Sequence, residues 1–344
     1  SVRCRLQKRM KMTNGKETIL ELENIVKKYT SRGSFFGAHG KEIIALNKIS
    51  VTILRGEIFG LVGESGSGKS TAGRLIVRLE KPEEGRIRLN GREVTELKGK
   101  ALKEFPRKVQ MIFQDPYQSL NPQLSVFDTI SEPLVIHKMG NAGDRETAVW
   151  QTMKSVGLSP PDDFMNRYPH QLSGGQRQRV AIARVMVLNP DFVVADEPTS
   201  MLDASISAQI FNILIEMREN LQATLLFITH SLSAARYLCD RIAVIYKGHM
   251  MELGSADQVI QNPKHPYTKA LIDALPKFGL SGDGIKRYNT LLPVKREASE
   301  HEGCPFFPRC VLANQTQCSK EKPLFKETDD SHWVACFYAK NGTD

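Results

Sequence analysis

Residues 58–71 read IFGLVGESGSGKST, a short apolar run followed by a glycine-rich loop that ends in Lys69-Ser70-Thr71. The part from Gly63 onward fits the pattern G-x-x-x-x-G-K-[ST], which follows a strand and opens a helix. Its glycines allow backbone N–H groups to curl around phosphate groups, at a helix N-terminus that already favours anions. The stretch therefore predicts a phosphate-binding loop in an α/β fold.

Each position of this loop has an expected task. Lys69 should bridge the β- and γ-phosphates of a nucleotide, Ser70 should ligate Mg²⁺, and Thr71 can reach the α-phosphate. The loop positions assigned to the nucleotide are Gly63, Ser65, Gly66, Ser67, Gly68, Lys69, Ser70 and Thr71.

Strands and helices alternate along the rest of the chain. Before the loop, alternating patterns predict strands at Leu20–Tyr29 and Ile43–Leu54. The other predicted elements are strands Arg86–Leu89, Val109–Phe113, Phe192–Ala195, Thr224–Thr229, Ile242–Tyr246 and Met250–Leu253, and helices Val180–Leu188, Ile206–Asn220 and Ala234–Leu238. Strands that alternate with helices imply a mostly parallel, doubly wound sheet.

A second motif, Asp191–Glu197 (DFVVADE), is an apolar strand that delivers two carboxylates at its end. Asp196 would hold the Mg²⁺ shell, and Glu197 is placed to polarise the attacking water. Behind a phosphate-binding loop, this pair indicates a nucleoside triphosphatase.

Leu172–Gln176 (LSGGQ) opens an apolar helix, and its two glycines permit close backbone approach. It lacks the lysine and the spacing of a second phosphate-binding loop. The stretch resembles the signature motif of the ABC ATPase family, in which serine hydroxyl and glycine N–H groups bind the γ-phosphate of ATP held by the opposite subunit. The resemblance carries that role to Ser173 and Gly175, with Gly174 and Gln176 in the same motif.

The other landmarks of the ABC family follow in order. Gln114 resembles the Q-loop glutamine that touches Mg²⁺ and water. Asp203 resembles the D-loop aspartate facing the partner site, and His230 resembles the switch histidine at the γ-phosphate. Tyr29 resembles the aromatic residue that stacks on adenine. The implied catalytic set is Glu197, His230 and Gln114, and the implied Mg²⁺ ligands are Ser70, Gln114 and Asp196.

Two positions depart from the family's pattern. Ser231 follows the switch histidine, where an acidic residue is common, and Met201 lies in the D-loop, where a small residue is commoner. Neither change removes a catalytic group, so a competent ATPase is expected.

Finer features resemble the oligopeptide/dipeptide importer branch, and most of all its F-type ATPase subunit. They are the runs Gln114–Pro122 (QDPYQSLNP), Tyr168–Ser173 (YPHQLS), Asn262–Lys269 (NPKHPYTK), Gly303–Cys310 (GCPFFPRC) and His332–Cys336 (HWVAC). No chemical task follows for His265–Lys269, where packing is the default interpretation.

The resemblance also implies a domain organisation. Residues 18–275 would form a RecA-like P-loop NTPase core with an antiparallel β subdomain and a helical subdomain at about 117–172. The Gly/Pro-rich residues 276–344 would form a small, irregular, Cys-rich C-terminal extension. Residues 1–17 are expected to be a disordered or artificial tail, because Met12 is a plausible native start.

Partners follow from the same resemblance. ATP would lie between two ATPase subunits, which in this branch are usually two different chains. Their closure would act on two transmembrane permeases, supplied by an extracytoplasmic solute-binding protein, from the cytoplasmic face of the membrane. The expected cargo is di- or oligopeptide, with oligosaccharide and nickel as alternatives within the branch.

Composition limits the other classes of function. No apolar run approaches the ~18 residues that span a bilayer, and no signal-peptide core follows the basic N-terminus. Five Lys/Arg of residues 1–11 contribute to the net charge of +9, so the remainder is not a nucleic-acid footprint. A soluble ABC ATPase acting on DNA or ribosomes is the rival class. It is disfavoured because 104 positions without heptads separate Gly68 from Leu172, and because the chain carries one cassette.

Four of the six cysteines fall in the last 41 residues: Cys304, Cys310, Cys318 and Cys336. The other two, Cys4 and Cys239, lie elsewhere in the chain. Disulfides are rare in the cytosol, and four thiols in a segment with little core suggest a staple. The spacing C-x5-C-x7-C-x17-C is not that of a zinc ribbon, yet four thiolates suit either Zn²⁺ or a [4Fe–4S] cluster. Unliganded thiols are the third interpretation. Transporter subunits with a similar tail carry an iron–sulfur cluster, which favours the cluster.

Overall fold

The computed structural model describes residues 17–30, 42–274 and 302–339, which fall into two compact units. The first unit takes the residues up to Ile53, residues Ile58–Thr95 and the residues from Ile228 onward. The second takes Leu54–Glu57 and Glu96–Phe227. The predicted tail, except for residue 17, and the predicted boundary at residue 276 lie outside the described residues.

The strands, in chain order, are β1 (Thr18–Thr30), β2 (Glu42–Leu54), β3 (Ile58–Val62), β4 (Glu84–Leu89), β5 (Arg92–Glu93), β6 (Val109–Ile112), β7 (Phe192–Asp196), β8 (Thr224–Thr229), β9 (Arg241–Tyr246), β10 (His249–Ser255), β11 (Lys326–Asp329) and β12 (His332–Val334). The α-helices are α1 (Lys69–Ile76), α2 (Gly99–Glu104), α3 (Pro116–Ser119), α4 (Val126–Ile136), α5 (Ala142–Ser155), α6 (Asp162–Met165), α7 (Gly174–Met186), α8 (Ala204–Leu221), α9 (Leu232–Leu238), α10 (Ala256–Gln261) and α11 (Pro266–Asp273). None of the helices in the described ranges has the length and hydropathy needed to cross a bilayer.

The first unit contains a four-stranded sheet in the order β2-β1-β4-β5, with β4 antiparallel to both of its neighbours. In β4, the buried Ile87 and Leu89 alternate with the more exposed Arg86 and Arg88. This period of two is typical of a strand with one face against a core and the other toward solvent. The sheet corresponds to the predicted antiparallel β subdomain.

The same unit contains a second set of strands in the order β11-β12-β10-β9-β3. β3 pairs in parallel with β9, and all five of its residues are buried. A strand buried on both faces is expected to be continuously apolar rather than alternating, as IFGLV is. Because β3 ends at Val62, it delivers the chain directly to the glycine-rich loop.

The described C-terminal residues continue this set of strands. β12 pairs antiparallel with β10 through Glu252↔Val334 and Leu253↔Trp333. The His332 Nε2 atom lies 2.7 Å from Glu252 Oε1, and both side chains are fully buried. Glu252 also accepts hydrogen bonds from the backbone N–H groups of Lys264 and His265. Two strands of the segment predicted to be irregular therefore extend the first unit, while a domain boundary near residue 276 stays a prediction.

In the second unit the strand order is β8-β7-β6, with β6 and β7 parallel. β7 is buried along its whole length and ends at Asp196. Helices α3 to α6 lie between residues 116 and 165, in the region of the helical subdomain predicted at about 117–172, and α7 follows that region. α7 packs against α4, α5 and α8, and its buried residues include Val180 and Ile182.

Several element ends differ from the sequence prediction: α7, for example, runs from Gly174 to Met186 rather than from Val180 to Leu188. Two of the differences lie beside candidate site residues. β6 ends at Ile112, and Phe113 lies beyond it with 43% of its surface exposed. α9 begins at Leu232 rather than Ala234, because the Ser231 hydroxyl accepts a hydrogen bond from Ala234 N–H and so caps the helix. Ser231, one of the two departures from the family's pattern, thus has a local structural task.

Candidate nucleotide site

The glycine-rich loop in the first unit is held in a conformation that needs its glycines. Gly66 and Gly68 have positive φ angles of 75° and 105°. A Cβ at Gly63 would lie 2.2 Å from the backbone oxygen of Ile245, and one at Gly68 would lie 2.3 Å from that of Ala45. Backbone conformation at Gly66, packing at Gly63 and both together at Gly68 therefore disfavour larger residues.

Lys69 is almost completely buried, at 4% exposure, at the first position of α1. Its ammonium group donates to the backbone oxygens of Gly63 at 2.8 Å and Glu64 at 2.9 Å. The loop thus curls over its own lysine. Ser67 Oγ is buried and has no hydrogen-bond partner among the described residues, so the loop holds a polar group that a phosphate oxygen would satisfy. The residues present fit a nucleotide phosphate.

Tyr29 is the last residue but one of β1, and 37% of the residue is exposed. Its hydroxyl donates to Glu80 Oε2 at 2.5 Å, and Lys27 Nζ lies 5.3 Å from the ring centroid. Burial, followed by the hydrogen bond to Glu80, raises the pKa of the Tyr29 hydroxyl. The Tyr29 hydroxyl is therefore occupied by its hydrogen bond to Glu80, while the partly exposed face of the ring is open for stacking on a base.

His230 follows β8 directly and is exposed, also in the first unit. The strand end fixes its backbone on one side, and the Ser231 cap of α9 fixes it on the other. The switch position is thus held between two regular elements.

In the second unit, the strand-end acids lie beside the Q-loop glutamine. Gln114 Nε2 donates to Glu197 Oε2 at 3.3 Å, and Asp196 is buried at 5% exposure. Glu197 has a φ of 45°, a left-handed conformation that a non-glycine residue adopts at a cost of roughly 1–3 kcal/mol. Such strain persists where the surrounding structure imposes it, and it is common at active sites.

The D-loop turns tightly after the strand-end acids. Ser200 N–H and Ser200 Oγ both donate to the Glu197 backbone oxygen, at 3.2 and 3.1 Å. Asp203 caps α8, because its Oδ1 accepts from the N–H groups of Ser205 and Ile206 at 3.0 Å. The Ile206 N–H bond is the largest contribution lowering the pKa of the Asp203 carboxyl. The expected task of Asp203 at a partner site stays a prediction beside this local one.

The signature stretch starts α7 with a reciprocal cap. Gln176 N–H donates to Ser173 Oγ at 3.3 Å, and Ser173 N–H donates to Gln176 Oε1 at 2.9 Å. Ser173 is exposed. A Cβ at Gly175 would lie 2.7 Å from Ile206 Cγ2, so a side chain there would have to displace Ile206 of α8. Gln176 thus acts as a cap, and Gly175 makes room for Ile206 whatever else it binds.

The four tail cysteines line one cavity in the first unit. The other lining residues are His265, Pro266, Phe306, Phe307, Ala313, Pro323, Phe337 and Tyr338. Burial raises the pKa of the Cys304 thiol to about 12 and that of Cys336 to about 11. Within the described residues no three His, Cys, Asp or Glu side chains have the arrangement of a formed metal site. The structure therefore gathers the predicted ligands without arranging them around an ion.

The structure also reveals two residues at the loop that sequence reasoning missed. Glu64 N–H donates to the Tyr267 hydroxyl at 2.9 Å, and Arg309 holds the Glu64 carboxylate with two hydrogen bonds of 2.8 and 3.0 Å. Both residues lie in stretches noted in the sequence, NPKHPYTK and GCPFFPRC. The sequence offered one indication of these contacts: Tyr267 and Arg309 stand in motifs of the importer branch that had no assigned task.

The candidate residues divide between the two units. The first contains the phosphate-binding loop, Tyr29, His230 and the cysteine cavity, and the second contains Gln114, the strand-end acids, the D-loop and the signature stretch. Each unit presents its set at strand ends and helix starts. These are the places where α/β proteins bind phosphates and position acids.

Comparisons with known proteins show which family the chain resembles. The ABC transporter family model matches residues 46–200, and the model for the C-terminal region of oligopeptide/dipeptide transporters matches residues 251–318. The oligopeptide transport ATP-binding protein AppF of Bacillus subtilis is 43% identical over 323 residues, which cover 93% of this chain and 97% of the relative. The dipeptide transport ATP-binding protein DppF of Haemophilus influenzae is 39% identical over 334 residues, covering 95% and 99%.

A solved structure extends the likeness to the fold. The ATP-binding cassette MJ0796, a dimer in a post-hydrolysis state bound to ADP and Pi, is 31% identical with a TM-score of 0.62. The match covers 69% of this chain and 99% of that one, and confirms the predicted α/β cassette fold. The chain belongs to the ABC transporter family of ATPases, among the ATP-binding subunits of the oligopeptide/dipeptide transporters.

Proposed function

We propose that this chain binds and hydrolyses ATP as one of two ATPase subunits of an importer, and that hydrolysis drives peptides through partner permeases. The observation that carries the hydrolytic part is the contact of Gln114 with Glu197 at the end of β7. A carboxylate held in a strained conformation beside an amide is suited to orient and polarise a water molecule.

The residues would divide the chemistry among them. Lys69 and the loop N–H groups hold the phosphates, while Tyr29 stacks on the base. Mg²⁺, when bound by Ser70, Gln114 and Asp196, supplies positive charge that offsets the charge of the phosphates. Glu197 accepts the proton of the attacking water, and His230 contacts the γ-phosphate.

The signature stretch would serve a nucleotide held by a second ATPase subunit. Ser173 is exposed at the start of α7, where N–H groups and the helix dipole favour an anion. A solved relative of the cassette is a dimer, which supports a paired arrangement. We propose that the partner is a different ATPase chain and that Asp203 faces its site.

Contact with the permeases would involve the second unit. Phe113 and Tyr117, on either side of the Q-loop, are 43% and 59% exposed, and Ile136 at the end of α4 is 65% exposed. Exposed apolar side chains of this size are suited to bury against a partner. This proposal locates the chain at the cytoplasmic face of the membrane, with an extracytoplasmic protein delivering the cargo.

Replacing Lys69 with alanine in the producing cell should abolish uptake of radiolabelled di- and oligopeptides, because the phosphates lose their main cation. Lys264→Met, which breaks an ion pair with Asp329 of 3.0 Å, is a control that should leave uptake unchanged. Uptake of an oligosaccharide and of nickel is measured in the same strains. If peptide uptake survives Lys69→Ala while either of these is lost, the assigned cargo is wrong.

We further propose that the four tail cysteines bind a [4Fe–4S] cluster with a structural task. The donors fit, because four buried sulfurs converge on a cavity whose other walls are mostly aromatic and proline side chains. His265 is engaged elsewhere: its Nδ1 accepts from Tyr267 N–H at 2.9 Å, and a hydrogen bond joins it to the backbone of Ala335. Soft thiolates in an apolar shell suit iron–sulfur clusters.

Protein purified without oxygen should be brown, with about four irons per chain by metal analysis. Cys310→Ser should lose colour and iron, whereas Cys239→Ser, which changes a buried cysteine outside the cavity, should keep both. A colourless protein with one zinc per chain would show that the four cysteines bind Zn²⁺ instead of the cluster. Four titratable thiols and no metal in the folded protein would refute the site.

A further inference from the structure

Glu64, the second residue of the phosphate-binding loop, is held at each of its polar groups. Its carbonyl oxygen accepts from Lys69 Nζ at 2.9 Å, and its N–H donates to the buried Tyr267 hydroxyl at 2.9 Å. Its carboxylate is held by Arg309. Two of these three partners come from outside the loop, so the backbone path at Glu64 is set by residues far along the chain.

The contact with Arg309 has the two-bond geometry that fixes orientation as well as charge. Nη1 lies 2.8 Å from Glu64 Oε2, and Nη2 lies 3.0 Å from Oε1. A guanidinium and a carboxylate joined in this way are held in one plane, which a single-point ammonium contact does not do. Arg309 itself packs with its guanidinium carbon 5.8 Å from the ring centroids of both Tyr246 and Phe306.

Other contacts hold the C-terminal segment, residues 302–339, to the rest of the first unit. β12 pairs with β10, His332 is buried against Glu252, and Lys264 pairs with Asp329 at 3.0 Å. The Arg309 side chain is 22% exposed and that of Glu64 is 42% exposed, so the pair adds little to folding stability. A task in the loop explains the contact better than a task in docking.

We propose that Arg309 is a positioning residue for the ATPase reaction, which holds Glu64, and through it the phosphate-binding loop, in the conformation that accepts ATP. The inference rests on the proposed nucleotide site. It makes the C-terminal segment a part of that site's support, because Arg309 adjoins Cys310 of the cysteine cavity and packs on Phe306, which lines it.

Arg309→Met should weaken binding of a fluorescent ATP analogue to the full-length chain by about fivefold, because Glu64 loses one of its two partners from outside the loop. The assembled transporter should show a matching rise in KM for ATP, with kcat changed less than about twofold. Glu64→Gln should have a similar effect, and the double variant should be no worse than the more affected single one, because both changes remove one contact. Arg309→Lys, which keeps the charge without the two-bond geometry, should fall between wild type and Arg309→Met.

Lys264→Met is the matched control, because it removes another ion pair of the same segment, that of Lys264 with Asp329, without changing a contact of the phosphate-binding loop. It should leave nucleotide affinity unchanged. Thermal unfolding of each variant separates a loss of fold from a loss of affinity, and Glu64→Gln with Arg309→Lys tests the idea if Arg309→Met does not fold. Unchanged affinity in the folded Arg309 variants, or an equal loss in Lys264→Met, would overturn the proposal. Lys69→Ala, tested alongside, separates failure of the Arg309 proposal from failure of the proposed nucleotide site. If Lys69→Ala also binds ATP normally, the proposed nucleotide site is wrong.

Discussion

Glu197→Gln should leave ATP binding nearly intact and slow hydrolysis by about a hundred- to ten-thousandfold, the range contributed by a positioned general base. Glutamine keeps the size of the side chain and can keep a hydrogen bond with Gln114, but it does not accept a proton from water. The phosphates are held by other groups, Lys69 and the glycine-rich loop, so affinity should survive. Phosphate release and binding of a fluorescent ATP analogue measure the two effects separately.

Asp191→Asn provides the matched control for this change. Asp191 precedes the same strand, and its carboxylate lies 3.9 Å from Lys108 Nζ, away from the strand end that bears Glu197. Its replacement should leave turnover unchanged. Turnover of Glu197→Gln within a few-fold of wild type would show that another group activates the water.

Ser173→Asp should lower the ATPase activity of the assembled transporter by about a hundredfold, although the fold of the chain is retained. Aspartate is as good an N-cap as serine, so the start of α7 should remain capped toward Gln176 N–H. Its carboxylate, however, would face the γ-phosphate held by the opposite subunit. In the proposed pair of subunits, closure would bring both nucleotides into one interface, so repulsion at one signature stretch would oppose the whole closed state. Steady-state turnover and the unfolding temperature are the two measurements.

Ser255→Asp is the control for the cap itself. Ser255 caps α10 with the same reciprocal arrangement, in which Gln258 takes the place of Gln176. Both variants should unfold at the wild-type temperature, and Ser255→Asp should keep its activity.

The isolated chain should hydrolyse ATP poorly at high dilution, because the proposed task of Ser173 is at a nucleotide held by another subunit. Full activity of a dilute chain, with no dimer in sedimentation, would contradict the composite site.

The sequence by itself determined the features that depend on neighbouring residues. The phosphate-binding loop could be located because its conformation needs glycine at positive φ, at Gly66 and Gly68, between a strand and a helix. The signature stretch could be assigned to a helix start because Ser173 and Gln176 satisfy each other's N–H groups across three residues. Buried strands such as β3 and β7 were visible as continuous apolar runs.

Only the tertiary structure decided which distant residues support those features. Arg309 reaches Glu64 across 245 positions, and Tyr267 reaches it across 203. Ile206 of the next helix packs onto Gly175, so a side chain there would have to displace it. Such contacts depend on how strands and helices pack, and local patterns carry no information about which side chains then meet. Residue type predicted that four cysteines would converge, but only the packing of β12 on β10 shows how their segment is tied to the unit that bears the phosphate-binding loop.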